Sequence, residues 1–191
     1  MRPLPIAQIG EPVLRAPTTN LRRNDLLRDT FQAFIDQLIA TMRHASGAGL
    51  AANQVSRSVS VCVIEVGDNP RYPYKPKIPL TVLVNPHLTP VSDESFDNYE
   101  GCLSVPNLRG IVPRYAEVRV TGWNRHGHII DCVVRGITAG TFQHEVDHLS
   151  GTLFVDRVAD TRTLCTWDTF TRHHEAAFRE RVRGIVARYG S

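Results

Sequence analysis

His144-Glu145-Val146-Asp147-His148 lies in a stretch where Ile137, Phe142, Val146 and Leu149 recur at helical spacing. Gly151 follows them, a residue suited to a left-handed C-terminal cap. Side chains four apart on a helix are neighbours, with Cβ atoms about 5–6 Å apart, so the two imidazoles can converge on one metal ion. Glu145 sits beside them and is not needed as a ligand. It can instead take a proton from an attacking water, which is why this spacing recurs in metallohydrolases.

Working outward, Leu26, Leu27, Phe31, Phe34, Ile35, Leu38, Ile39 and Met42 predict an amphipathic helix over 25–44, with Asn24 as its cap. The β-branched run 59–66 reads as a strand and is followed by a proline-rich loop over 67–79. Further strands are expected at 81–84, 117–121 and 129–134, the last two joined as a hairpin through Asn124-Arg125-His126-Gly127. A last helix is expected within 161–188. Short strands bracketed by N-terminal, central and C-terminal helices give an α+β class, with antiparallel strands around the helix that carries the His-Glu-x-x-His motif. With 191 residues, 42% of them hydrophobic and 21% charged, a single domain over 1–191 is expected.

A net charge of +3 is too mild to imply DNA binding. The prolines at 3, 5 and 12 interrupt the N-terminus before a signal-peptide core can form. The longest stretch without Asp, Glu, Lys or Arg near an apolar segment, 78–92, holds three prolines and falls short of the ~18 apolar residues of a spanning helix. Cys62, Cys102, Cys132 and Cys165 lie far apart without a Cys-x-x-Cys, so a reducing cytoplasm is the expected compartment.

A catalytic site of this type takes a third protein ligand. The position six residues beyond His148, where metzincins carry a histidine, is Phe154. Glu175 and Glu180 could serve as in thermolysin-like sites, but their arginine-rich surroundings favour ordinary surface pairs. Cys62 and Cys132 alternate with apolar neighbours in expected strands and read as small buried hydrophobes. Cys102 stands in Glu100-Gly101-Cys102-Leu103-Ser104-Val105-Pro106, where glycine permits close approach and proline should end strand pairing. It is the best remaining candidate, although spacing alone does not fix it.

Three motifs in order, Gly47-Ala48-Gly49-Leu50-Ala51-Ala52-Asn53-Gln54, Glu100-Gly101-Cys102-Leu103-Ser104 and Gln143-His144-Glu145-Val146-Asp147-His148-Leu149, make the chain resemble the peptide deformylases. The likeness runs from Gly10-Glu11-Pro12-Val13-Leu14-Arg15 through Gly151-Thr152-Leu153-Phe154-Val155-Asp156-Arg157. It implies a metal held by Cys102, His144 and His148, with Glu145 as general acid and base. The Gln54 amide and the Leu103 N–H are implied as donors to the developing oxyanion. Ala48, Gly49 and Gly101 are implied backbone contacts to a peptide, and Arg109 a side-chain contact, for which a surface ion pair is the competing reading.

The resemblance further implies N-formylmethionyl peptides as substrates, formate as product and one divalent ion per chain. That ion would be iron(II) natively, with zinc, nickel or cobalt able to replace it. A bacterial cytoplasm is the implied location, with an organelle as the alternative. Positions 137, 140 and 141 share the helix face of His144 and should line the methionine pocket. Ile137, Gly140 and Thr141 make it smaller and more polar than the resemblance leads one to expect, and Ser56 replaces a common glycine. Other than Lys75 and Lys77, the 22 basic residues are arginines, and those of the last helix raise contact with the ribosome. Glu175 and Glu180 interrupt that charge and favour a solvated face. The rival readings are a metallopeptidase and a catalytically weak metal-binding paralogue that binds nascent termini.

Overall fold

The computed structural model describes residues 2–68 and 73–191; Met1 and part of the expected proline-rich loop, 69–72, lie outside the described residues. Strands β1 (Gly49–Ala51), β2 (Val61–Val66), β3 (Ile78–Pro90), β6 (Glu117–Trp123) and β7 (Ile129–Arg135) form an antiparallel sheet in the order β1-β2-β3-β6-β7. Strands β4 (Ser95–Cys102) and β5 (Val105–Tyr115) pair separately as a two-stranded ribbon.

The period-2 alternation of strands places the core on both faces of the large sheet. Leu50, Val61, Val63, Val82 and Val84 face helix α2 (Asp29–His44), which packs Phe31, Phe34, Ile35, Leu38 and Met42 against them. Ala51, Cys62, Ile64, Leu83, Val118 and Val120 face helix α3 (Gly136–Leu149) through Ala139, Phe142 and Leu149. The helix bearing the histidines is therefore held between the sheet and the β4–β5 ribbon. The left-handed turn expected at its end is present, with Gly151 at φ 78° and a Cβ there only 2.5 Å from the Arg15 carbonyl oxygen.

The expected helix over 25–44 is two helices. A short α1 (Arg23–Leu26) precedes α2, and Asn24 lies inside it instead of capping it. The Gln32 side chain donates to the Leu26 carbonyl at 2.8 Å, which satisfies the end of the short helix and lets the chain turn at Arg28. The expected C-terminal helix is likewise α4 (Trp167–His173) and α5 (Glu175–Tyr189), broken at His174. The break lets Phe170 and Phe178 both pack edge-on against Tyr99.

Strands β4 and β5 are additions to the expected set. Pro106 does not end pairing: β5 continues past it, because the register slips between Gly101 and Cys102 and leaves Pro106, Asn107 and Leu108 in an unpaired bulge. Cys132 is exposed, not buried, since β7 is the edge strand of the sheet.

Candidate metal centre

The β4–β5 ribbon and helix α3 bring together residues more than forty positions apart. Cys102, at the end of β4, has its Sγ 3.3 Å from His148 Nε2, and the donor atoms of Cys102, His144 and His148 all lie within 4.8 Å of one another. All three are buried or nearly so. Burial opposes a charged thiol at Cys102, but the adjoining His148 and His144 outweigh it and hold the group well below the usual thiol range. A thiolate and two imidazoles are the donor set of a zinc-type or iron(II)-type site.

His144 is oriented by a carboxylate that the reading of the sequence left without a role. Glu100 Oε2 lies 2.8 Å from His144 Nδ1; a carboxylate only accepts, so Nδ1 carries the proton and Nε2 keeps its lone pair for a metal. Glu100 is in turn gripped by Arg114, whose Nε and Nη2 donate at 2.7 and 2.8 Å. The third arm of Arg114, Nη1, donates to Asp147 at 2.6 Å, so Glu100 and the His-Glu-x-x-His helix share one guanidinium. Burial alone would push the Glu100 carboxyl up, yet the Arg114 charge and hydrogen bonds drive it far below the carboxylate range.

Glu145 is buried beside the ligands, and its Oε2 has no hydrogen-bond partner among the described residues. Burial raises its carboxyl, against the lowering influence of the two histidines, which biases the group toward accepting a proton. Gly49 makes room for it. A Cβ at that position would fall 2.4 Å from the Glu145 carboxylate carbon and Oε1. Gly49→Ala should therefore displace the carboxylate by about 1 Å and lower kcat roughly 100-fold with the thermal midpoint little changed, checked by steady-state kinetics beside a melting curve.

Gln54 is fixed at both ends. The Ala51 N–H donates to its Oε1 at 2.9 Å, and its Nε2 donates to Ser104 Oγ at 3.0 Å, 3.5 Å from Cys102 Sγ. Gln54 and Leu103 line the cavity beside the ligands, as do Ala48, Gly49 and Gly101. The anchor for this wall is Asn53, whose side-chain amide donates to the His148 carbonyl at 2.6 Å. Ser56 takes a left-handed conformation, φ 61°, a backbone geometry that glycine adopts without strain.

Two expectations change. Arg109 is neither a surface ion pair nor part of the cavity wall: it is fully buried, with its guanidinium 3.8 Å above Phe170 and 4.4 Å from Trp167, donating to the Tyr74 hydroxyl and the Tyr99 carbonyl. Its role in this structure is to tie β5 to α4. Ile137 also misses the cavity, packing with Phe170, Phe178 and Ile185, while Gly140 and Thr141 do line it. Glu175 and Glu180 pair with Arg179 and Arg183 on α5 and are not ligands.

Three convergent soft and borderline donors, a carboxylate-oriented histidine and an adjacent buried glutamate define a metal-dependent hydrolase. The profile of the polypeptide deformylase family matches residues 3–163. Peptide deformylase 2 of Ralstonia nicotianae is 44% identical over 155 residues, 81% of this chain and 82% of that protein. Peptide deformylase 2 of a Nostoc species is 38% identical over 167 residues, 87% of this chain and 92% of that one. Among solved structures, the Met-Ala-Ser-bound class I type b peptide deformylase from Acinetobacter baumannii superimposes with a TM-score of 0.79 at 39% identity, covering 82% of this chain and 99% of that one. The chain belongs to the polypeptide deformylase family.

Proposed function

We propose that the chain removes the N-formyl group from the N-terminal methionine of newly synthesised peptides, releasing formate, with Glu145 moving the proton. The observation that carries this reading is the convergence of Cys102, His144 and His148 with Glu145 and Gln54 around one cavity. A divalent ion held by one thiolate and two neutral imidazoles keeps a net positive charge and, when bound, supplies Lewis acidity to the water and to the formyl oxygen. Iron(II) is the proposed native ion, with zinc, nickel or cobalt competent to fill the same donors.

Glu145 takes the proton of the attacking water and then delivers it to the departing amine, so one carboxylate serves both steps. Negative charge develops on the former formyl oxygen in the tetrahedral intermediate. Gln54 Nε2, on an amide whose Oε1 is held by the Ala51 N–H, and the Leu103 backbone N–H are the donors proposed to meet it. Gln54→Ala should lower kcat about 100- to 1,000-fold at unchanged metal content, measured by formate release and elemental analysis on one sample.

Strand edges support a peptide substrate. Strand β1 ends the large sheet and pairs on one side only, as does β4 in its ribbon, and both border the cavity through Gly49 and Gly101. An extended peptide can add to such an edge while its first residue enters the cavity. A metallopeptidase would instead release amino acids, and a binding paralogue would release nothing, so product analysis on formyl-Met-Ala separates the three. The arginines of the last helices are mostly neutralised in place: Arg172, Arg179, Arg183 and Arg188 pair with Asp168, Glu175, Glu180 and Glu94. This favours a solvated face there over an electrostatic ribosome contact. No helix of the described residues is long and apolar enough to cross a membrane, and a bacterial cytoplasm is the proposed location.

A further inference from the structure

The cavity beside the metal donors receives a side chain from an unexpected direction. Lys75, which precedes β3, reaches in from the far wall and donates from Nζ to Thr141 Oγ1 at 3.0 Å. The Thr141 hydroxyl spends its own proton on the Ile137 carbonyl at 3.1 Å, so it presents lone pairs toward the cavity, where an ammonium suits it. Asn98 adds a buried amide to the same wall, and Gly140 adds no side chain, facing Asn98 and Phe96. Apart from Ala48, Leu103 is the one aliphatic side chain among the described lining residues. The remaining cavity volume is about 30 Å³. Lys75 takes up part of this space, so a long side chain entering it must compete with the lysine.

A peptide whose formyl carbon lies at Glu145 and the metal donors must put its first side chain into this adjoining space. We propose that Lys75, anchored on Thr141, sets how tightly that side chain is held: it shares the space a long apolar chain would take, so methionine is held more weakly here than a short side chain ending in an oxygen acceptor would be. This rests on the deformylase reading above and concerns the selectivity of that site, with the formyl-methionyl peptide still its substrate. Two physical effects act in the same direction. Methionine must displace Lys75 and bury its thioether against hydroxyl and amide groups, losing the apolar contact that would otherwise favour it. A serine or aspartate side chain instead leaves Lys75 in place and accepts from it. Burial draws Lys75 down to about 8, which still leaves it largely protonated at neutral pH.

The test measures kcat and KM for formyl-Met-Ala-Ser, formyl-Ser-Ala-Ser and formyl-Asp-Ala-Ser with metal-loaded wild type, Lys75→Ala and Thr141→Val. Metal content and melting temperature are read on the same samples. Thr141→Val keeps the volume and removes the hydroxyl that holds Lys75, so it stands in should Lys75→Ala fold poorly. The preference for Met over Ser, as a ratio of kcat/KM, should rise about tenfold in both variants, chiefly through KM for the methionyl peptide. The affinities of Met-Ala-Ser and Ser-Ala-Ser, measured by calorimetry, should shift in parallel. Formate release by wild type with ratios unmoved by either substitution overturns the role of Lys75 and leaves the deformylase reading standing. Absence of formate from every peptide overturns both.

Discussion

Glu145→Gln should lower kcat by about 100- to 10,000-fold while the protein keeps its metal and its melting temperature. The substitution preserves shape and leaves Cys102, His144 and His148 untouched, so donor geometry is retained. What is lost is proton capacity. Glu145 is buried, its carboxyl is raised by that burial, and its Oε2 has no hydrogen-bond partner among the described residues. No other carboxylate can substitute, because Glu100 is committed to His144 and Arg114 and held far down the titration scale. Single-turnover kinetics with elemental analysis check this. Turnover within tenfold of wild type would remove Glu145 from the chemistry.

Arg114→Leu should be the most damaging substitution outside the ligand set, costing about 3–5 kcal/mol of stability, as expected when one partner of a buried ion pair is removed. Arg114 is nearly inaccessible and joins Glu100 on β4 to Asp147 on α3. Without it Glu100 is a buried charge with only His144 and Asn98 beside it, at 2.8 and 3.2 Å. Asp147 suffers less, since Arg157 also holds it from the surface at 2.5 Å. The effect should reach the metal, because Glu100 fixes which nitrogen of His144 carries the proton; loss of such an outer partner typically weakens metal binding 10- to 100-fold. Thermal unfolding and competition with a chelating dye give the two numbers separately. A variant that is destabilised but binds metal as wild type does would confine Arg114 to holding the fold.

How much of this was legible in the sequence depends on range. The helix of His144 and His148 was readable because its ligands and its apolar face are local, and the N-terminal amphipathic helix for the same reason. Residues Ser95 to Cys102 hid as a strand, since polar side chains and a glycine carry little β-branched signal, and Pro106 argued against the strand beyond. That ribbon is what delivers Cys102, so elimination among residues could favour it but only the likeness to the family selected it. Arg114 and Lys75 act through cross-strand and loop contacts that leave no spacing to read. Arg109 misled in the opposite sense: an arginine is ordinarily a surface residue, whereas this one is stacked among aromatic rings that arrive from α4 and α5.

The central claim is hydrolysis of a formamide bond at the Cys102, His144, His148 site. It is tested most directly by incubating protein of known metal content with formyl-Met-Ala and quantifying formate and free amine, before and after removal and return of the metal. Formate and Met-Ala should appear in equal amounts, cease on chelation and resume when the ion is restored. Cleavage of the Met-Ala bond without formate, or formate release indifferent to chelation, would contradict the account.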